Sequence, residues 1–129
     1  MNHLDKIRIF KTEDYSQLTR WFKLRDVPVP PLEILSNHGY IVDNVAVGFL
    51  YLTNSSVAII DGYCTNPESD KNARDNALNW ITIHLTAYAK NSGCKLLKCD
   101  SKIKEVIARA KNHGFKEIGQ FTCLVKELN

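Results

Sequence analysis

Polar and apolar residues alternate through Lys6-Ile7-Arg8-Ile9-Phe10, which is the period of a half-buried strand. From Thr12 the period changes. Tyr15, Leu18, Trp21 and Phe22 recur at spacings of three and four, predicting an amphipathic helix that Thr12, Glu13 and Asp14 would open and that runs to about Arg25. Pro28, Pro30 and Pro31 exclude a regular helix beyond Asp26, because proline lacks the N–H and restricts the residue before it. Leu32-Glu33-Ile34-Leu35 reads as one further helical turn. Gly39–Val42 and Val45–Leu52 are apolar, β-branched or aromatic runs separated by Asp43-Asn44, a pair suited to a hairpin turn. Asn54-Ser55-Ser56 turns the chain again into Val57-Ala58-Ile59-Ile60 and its continuation to Thr65. Strands joined so tightly are expected to be antiparallel.

The rest of the chain is organised around the end of that strand and the helix after it. Asn66-Pro67-Glu68-Ser69-Asp70 supplies turn and cap residues, and a helix is expected from about Asp70 to Asn91 with Ala73, Ala77, Trp80, Ile81, His84, Leu85 and Tyr88 on one face. Gly93 is a natural stop. Lys95–Cys99 reads as a short strand, Ile103–Asn112 as a helix with Val106, Ile107 and Ala110 inward, and Phe115–Gly119 with Thr122–Lys126 as a closing pair of strands. The long helical crossover implies that the strand at Leu96 runs parallel to the one at Ile59. The pattern therefore predicts one α/β (α+β) domain over residues 1–129, continuous from about residue 3, with a mixed, mostly antiparallel sheet flanked by helices. No internal repeat interrupts it.

Composition narrows this only a little. With 129 residues, 44% hydrophobic and 24% charged, the chain suits a single core and carries no block long enough for a linker or disordered tail. The leading Met1–Lys6 has no apolar core of secretory type, and no stretch approaches the ~20 apolar residues of a membrane span, so a soluble cytoplasmic protein that makes no membrane contact is expected. Cys64, Cys94, Cys99 and Cys123 include no C-x-x-C pair and are expected as reduced thiols without a metal. The net charge of +3 comes from scattered residues, which argues against a nucleic-acid module.

Chemistry is expected where the strand from Val57 meets the helix from Asp70, because unpaired N–H groups at a helix start favour an anion. The order of elements, with Ile60-Asp61-Gly62-Tyr63-Cys64-Thr65-Asn66-Pro67-Glu68 ending the strand and His113-Gly114-Phe115 following the last helix, resembles the GNAT superfamily of acyl-coenzyme A N-acyltransferases over essentially the whole chain. The resemblance implies a parallel strand pair that splays apart and acetyl-coenzyme A as acyl donor. It also implies a pantetheine-binding edge at Tyr63, Cys64 and Thr65, and a pyrophosphate loop at Asp70-Lys71-Asn72-Ala73-Arg74-Asp75 running into Asn76. In the family that loop has the form Q/R-x-x-G-x-G/A. Here Asp70, Ala73 and Asp75 stand at the characteristic positions. Glycines let a backbone approach a phosphate closely, whereas a carboxylate repels it. Asp70 is equally well read as an N-cap and Asp75 as a first-turn acid.

Catalytic groups follow the same resemblance. Asp61 stands where the family often has an acidic residue that takes a proton from the acceptor amine, directly or through water; the other reading is a rim carboxylate making one salt bridge. Ala110 stands where the family often has a tyrosine acid, and Ile103 where an asparagine is common. His84 is read as a hydrogen-bonded histidine of the helix face and His113 as a helix-end residue. The expected activity is direct transfer of an acetyl group to an unidentified amine in a ternary complex; the alternative is an inactive GNAT-fold binding or regulatory protein. A homodimer is expected from the resemblance alone.

Overall fold

The computed structural model describes residues 6–129, so the expected start of the domain near residue 3 lies outside the described residues. Five strands form one mixed sheet in the order β1 (Ile7–Ile9), β2 (His38–Val42), β3 (Ala46–Leu52), β4 (Val57–Thr65) and β5 (Leu96–Lys98). Each neighbouring pair among the first four is antiparallel, and β5 runs parallel to β4. The crossover between that parallel pair is α2 (Lys71–Asn91), while α1 (Tyr15–Leu24) and α3 (Lys104–Asn112) complete the helices. Single 3₁₀ turns at Thr12–Asp14 and Leu32–Ile34 stand where a helix start and a short helical turn were expected.

The sheet separates two apolar layers. On one face α1 sends Leu18 and Trp21 against Phe10, Ile41, Val47, Phe49 and Cys64; on the other α2 sends Ala77, Leu78, Ile81, Leu85 and Ala89 against Val42, Ala46, Leu50, Ala58 and Ile60. Alternation along β3 deals residues to the two layers in turn, which is why Val47 and Phe49 meet α1 while Ala46 and Leu50 meet α2.

Two expectations need correction. The buried stripe of α2 is Ala77, Leu78, Ile81, Thr82, Leu85 and Ala89, so Trp80, His84 and Tyr88 lie at its margin, only partly buried. The tilt of the helix across the sheet decides which flank of a wide apolar face goes under, and spacing alone does not encode that tilt. Second, Phe115–Gly119 and Thr122–Lys126 form no strands; residues 115–129 carry no regular structure. Their residues have β-strand character, but among the described residues they have no strand partner, and a strand is defined by its neighbour.

An ion-pair cluster holds the edge of the sheet to the start of α1. Arg8 donates to both oxygens of Asp14 at 2.6 and 2.8 Å and to Asp43 at 2.7 and 3.0 Å. Asp14 is buried and also accepts from the Lys11 amide at 2.8 Å. The Arg8 guanidinium holds both carboxyls below their usual range despite the opposing effect of burial. Depressed folded-state values stabilise the protein above the unfolded carboxyl pKa of ~3.9, and that contribution disappears as pH falls through the lower folded values. The melting temperature is therefore expected to drop below pH ~4, with a shallower acid-side slope in Asp14→Asn. Equal slopes in the two proteins would contradict this account.

Candidate functional site

β4 outruns its parallel neighbour. The pairing covers Val57, Ala58 and Ile59 against Leu96, Leu97 and Lys98, whereas β4 continues to Thr65. From Ile60 onward its edge facing β5 has no strand partner among the described residues. Backbone N–H and C=O groups along an open edge are available to an extended ligand.

A bulge shapes that edge. Val47 stands opposite Cys64 and Phe49 opposite Asp61, so β4 spends one residue more than β3. Gly62 takes the left-handed conformation, φ +73°, as the first residue of such a bulge commonly does. A Cβ there would lie 2.9 Å from the Phe49 ring. Across the strand pair, a Cβ on Gly48 would lie 2.8 Å from the Tyr63 ring and 2.9 Å from Ile81, so Gly48 leaves the space that these two side chains occupy. The Asp61 side chain is exposed and its Oδ1 accepts from the Gly62 amide at 2.8 Å.

The three residues after the bulge are dealt to different surroundings. Tyr63 turns under α2, where its hydroxyl is 2.6 Å from Thr82 Oγ1. The Thr82 proton goes to the Leu78 carbonyl at 2.8 Å, so Tyr63 is the donor of that pair. Burial pushes its phenol up to about 12. Cys64 points to the opposite face, among Phe10, Trp21 and Phe49, and burial pushes its thiol up to about 11. It is a neutral packing residue there, not a nucleophile. Thr65 is held by Arg25, whose Nε donates to the Thr65 carbonyl at 3.2 Å and whose Nη2 donates to Oγ1 at 2.5 Å.

Asn66, absent from the expected site residues, organises the turn into α2. It is buried, donates its amide to the Val45 carbonyl and its Nδ2 to the Asn44 carbonyl, both at 2.8 Å, and accepts from the Glu68 amide at 3.0 Å. Its carbonyl accepts from the Ser69 amide at 3.1 Å and hydroxyl at 2.7 Å. Between Gly62 and Gly93 no residue has positive φ; the loop reaches the helix through side-chain bonds, not through left-handed backbone.

Asp70 caps α2, its carboxylate accepting from the Ala73 amide at 3.3 Å. The amides of Asp70, Lys71 and Asn72 have no acceptor among the described residues. Lys71 is exposed and lies 3.5 Å from Asp75. Arg74 folds back, donating to the Ser69 carbonyl and, at 3.4 Å, to that of Pro67. Asp75 also pairs with Arg109 of α3 at 3.2 Å, and Asn72 and Asn76 are exposed. Thus the structure gathers Asp70, Lys71, Asn72 and Ala73 at one helix end, but directs Arg74 into the loop and Asp75 toward α3.

α3 is bound to α2 by that ion pair and by His113 Nε2, 2.9 Å from Asn79 Oδ1. Burial and the neighbouring Arg109 lower the His113 pKa. His84 Nδ1 donates to the Trp80 carbonyl at 2.9 Å. The four cysteines are free thiols. Among the described residues no group of three potential ligands could hold a metal ion, and no helix is long and apolar enough to cross a membrane.

The same arrangement recurs in solved proteins. An acetyltransferase from Trypanosoma brucei superposes with a TM-score of 0.68 at 15% identity, covering 93% of this chain and 98% of that one. A Mycobacterium tuberculosis protein solved in complex with CoA and NLQ gives 0.68 at 16% identity, covering 92% of this chain and 75% of that one. This chain has the GNAT fold. A transcriptional regulator from Bacillus halodurans superposes on this chain with a TM-score of 0.69 at 13% identity over 93% of this chain and 98% of that one. No protein-family model and no curated protein sequence matches the chain.

Proposed function

We propose that this GNAT-fold chain transfers an acetyl group from acetyl-coenzyme A to an amine, directly, within a ternary complex. The observation that carries the reading is the unpartnered edge of β4 from Ile60 to Thr65, ending beside the start of α2. Its residues fit the coenzyme in kind. Open-edge backbone groups near Tyr63, Cys64 and Thr65 suit the amides of a pantetheine arm, and the amides of Asp70, Lys71 and Asn72 suit a phosphate at a helix start. The coenzyme supplies an activated acyl thioester. Asp61 supplies a carboxylate at the bulge with one oxygen committed to Gly62 and the other open to a proton from the attacking amine. Neither Ala110 nor Tyr63, whose proton goes to Thr82, provides the acid that the GNAT resemblance implies, so turnover is expected to be slow.

Coenzyme A release with a panel of amines and peptide N-termini tests this reading. Acetylation that Asp61→Asn lowers supports it, and tight coenzyme binding without turnover for any amine would overturn the transfer step. A second reading has its own observation: the Asp70 carboxylate sits at the helix end that would receive phosphate, which favours a GNAT-fold protein that binds or regulates without transfer. The two meet in one variant. Asp70→Asn keeps a capping oxygen and removes the charge, so it is expected to tighten coenzyme binding about fivefold, in line with ~1 kcal/mol for a charge at a helix terminus. Unchanged affinity by calorimetry would place the phosphates away from α2.

A further inference from the structure

A groove of about 510 Å³ lies where the last turns of α2 pass beside β2, away from both the open edge of β4 and the start of α2. Tyr40, Ile83, His84, Tyr88, Asn91 and Ser92 line it, and its volume is that of a small-molecule site. Four aromatic rings meet there. His38 and Tyr40 are two apart on β2 and share a face, while His84 and Tyr88 are four apart on α2 and share one too. They pair across the two elements, His38 with Tyr88 at a centroid distance of 4.8 Å and Tyr40 with His84 at 5.2 Å. All four are only partly buried, so Tyr40, His84 and Tyr88 keep ring surface open to the groove.

The polar atoms of the groove narrow what it can take. His84 Nδ1 is committed to the Trp80 carbonyl, which leaves Nε2 as the acceptor of the neutral ring. Ser92 Oγ gives its proton to the Tyr88 carbonyl at 2.8 Å and keeps its lone pairs. The hydroxyls of Tyr40 and Tyr88 and the side-chain amide of Asn91 have no hydrogen-bond partner among the described residues, and none of these atoms is sealed from solvent. Burial, with Tyr88 nearby, raises the Tyr40 phenol pKa, so a neutral hydroxyl faces the groove. No lysine, arginine, aspartate or glutamate lines it. A phosphate or an ammonium would leave water there without a counter-charge. An uncharged flat molecule with N–H donors on its rim meets both the ring faces and the acceptors.

We propose that this groove binds an uncharged, planar nitrogen heteroaromatic of the nucleobase or nucleoside class, stacked on the Tyr40 and Tyr88 rings and donating an N–H to His84 Nε2. The ligand carries no phosphate, because the lining holds no cation to receive one. Ile83, the first lining residue on α2, stands twelve residues past Lys71, so ~18 Å of helix separates the groove from the helix start. The inference is therefore independent of the transfer reading.

Chemical-shift titration of the labelled protein with adenosine tests it. Saturable shifts should centre on Tyr40, His84, Tyr88 and Asn91, with a Kd of about 0.1–1 mM. Caffeine keeps the flat purine ring system but has every ring N–H replaced by N-methyl, so it should bind about tenfold more weakly. His84→Phe retains a ring against Tyr40 and removes the acceptor. That variant should lose about tenfold in adenosine affinity and keep its caffeine affinity, a split that general unfolding does not produce. Adenosine 5′-monophosphate should bind no more tightly than adenosine, and saturating desulfo-coenzyme A should not displace adenosine. The proposal is overturned by an absence of saturable adenosine shifts up to about 5 mM, or by caffeine binding as tightly as adenosine. Tighter binding of the monophosphate, preferential binding of tetramethylammonium at the same residues, or displacement by the coenzyme analogue would overturn it equally.

Discussion

Phe49→Ala is expected to lower unfolding stability by about 3–5 kcal/mol, the usual cost of truncating a buried phenylalanine. The ring is fully buried and meets Phe10 edge-on, with centroids 4.9 Å apart and planes at 74°. It also fills the space that Gly62 leaves beneath the bulge. Truncation therefore removes apolar contacts and an aromatic pair, and leaves a cavity under the residues that shape the open edge of β4. Phe49→Leu, which keeps much of the volume, should cost under ~2 kcal/mol. Denaturant titration of the three proteins reads both effects from the midpoint at constant slope. A loss below ~1 kcal/mol for Phe49→Ala would mean that the core relaxes around the site, and that the bulge does not depend on this ring.

The second large effect concerns the helix start. Replacing both Lys71 and Arg74 with alanine is expected to weaken coenzyme binding by about 1–3 kcal/mol, the scale of hydrogen bonds to charged groups. The two residues contribute differently. Lys71 is exposed, so its share should fade as salt rises. Arg74 ties the carbonyls of Pro67 and Ser69, so its loss should loosen the loop that presents the Asp70, Lys71 and Asn72 amides, and that share should persist in salt. Calorimetric titration of both single variants and the double at two ionic strengths separates them. Equal affinity in wild type and double variant would remove this helix end from the coenzyme site.

Much of this architecture is written locally. The antiparallel run from Gly39 to Thr65 follows from alternation and from turn residues at Asp43-Asn44 and Asn54-Ser55-Ser56, and the parallel β4–β5 pair follows from the length of the crossover. Asp70 was legible as a cap because capping is a one-turn interaction; the structure realises it. Long-range partners leave no such trace. Arg109 meets Asp75 and His113 meets Asn79 across 34 residues, and nothing in the spacing of either helix announces these pairs. Asn66 looked like one turn residue among several, and its role depends on Asn44 and Val45 of a different hairpin. The tyrosine at position 63 was legible as part of the edge, but the direction of its proton was not, because that depends on Thr82 being committed to Leu78. The final segment shows the same limit from the other side. Its pattern is that of strands, yet among the described residues it pairs with no sheet edge.

The most direct test of the coenzyme site is an amide chemical-shift titration of the labelled protein with desulfo-coenzyme A, which has the nucleotide and the pantetheine arm but no thiol to react. If the open edge of β4 and the start of α2 hold the coenzyme, saturable shifts should concentrate at residues 61–65 and 70–72. No shifts up to about 1 mM ligand, equivalent to binding weaker than ~4 kcal/mol, or shifts confined to the opposite end of α2 around His84 and Tyr88, would contradict it.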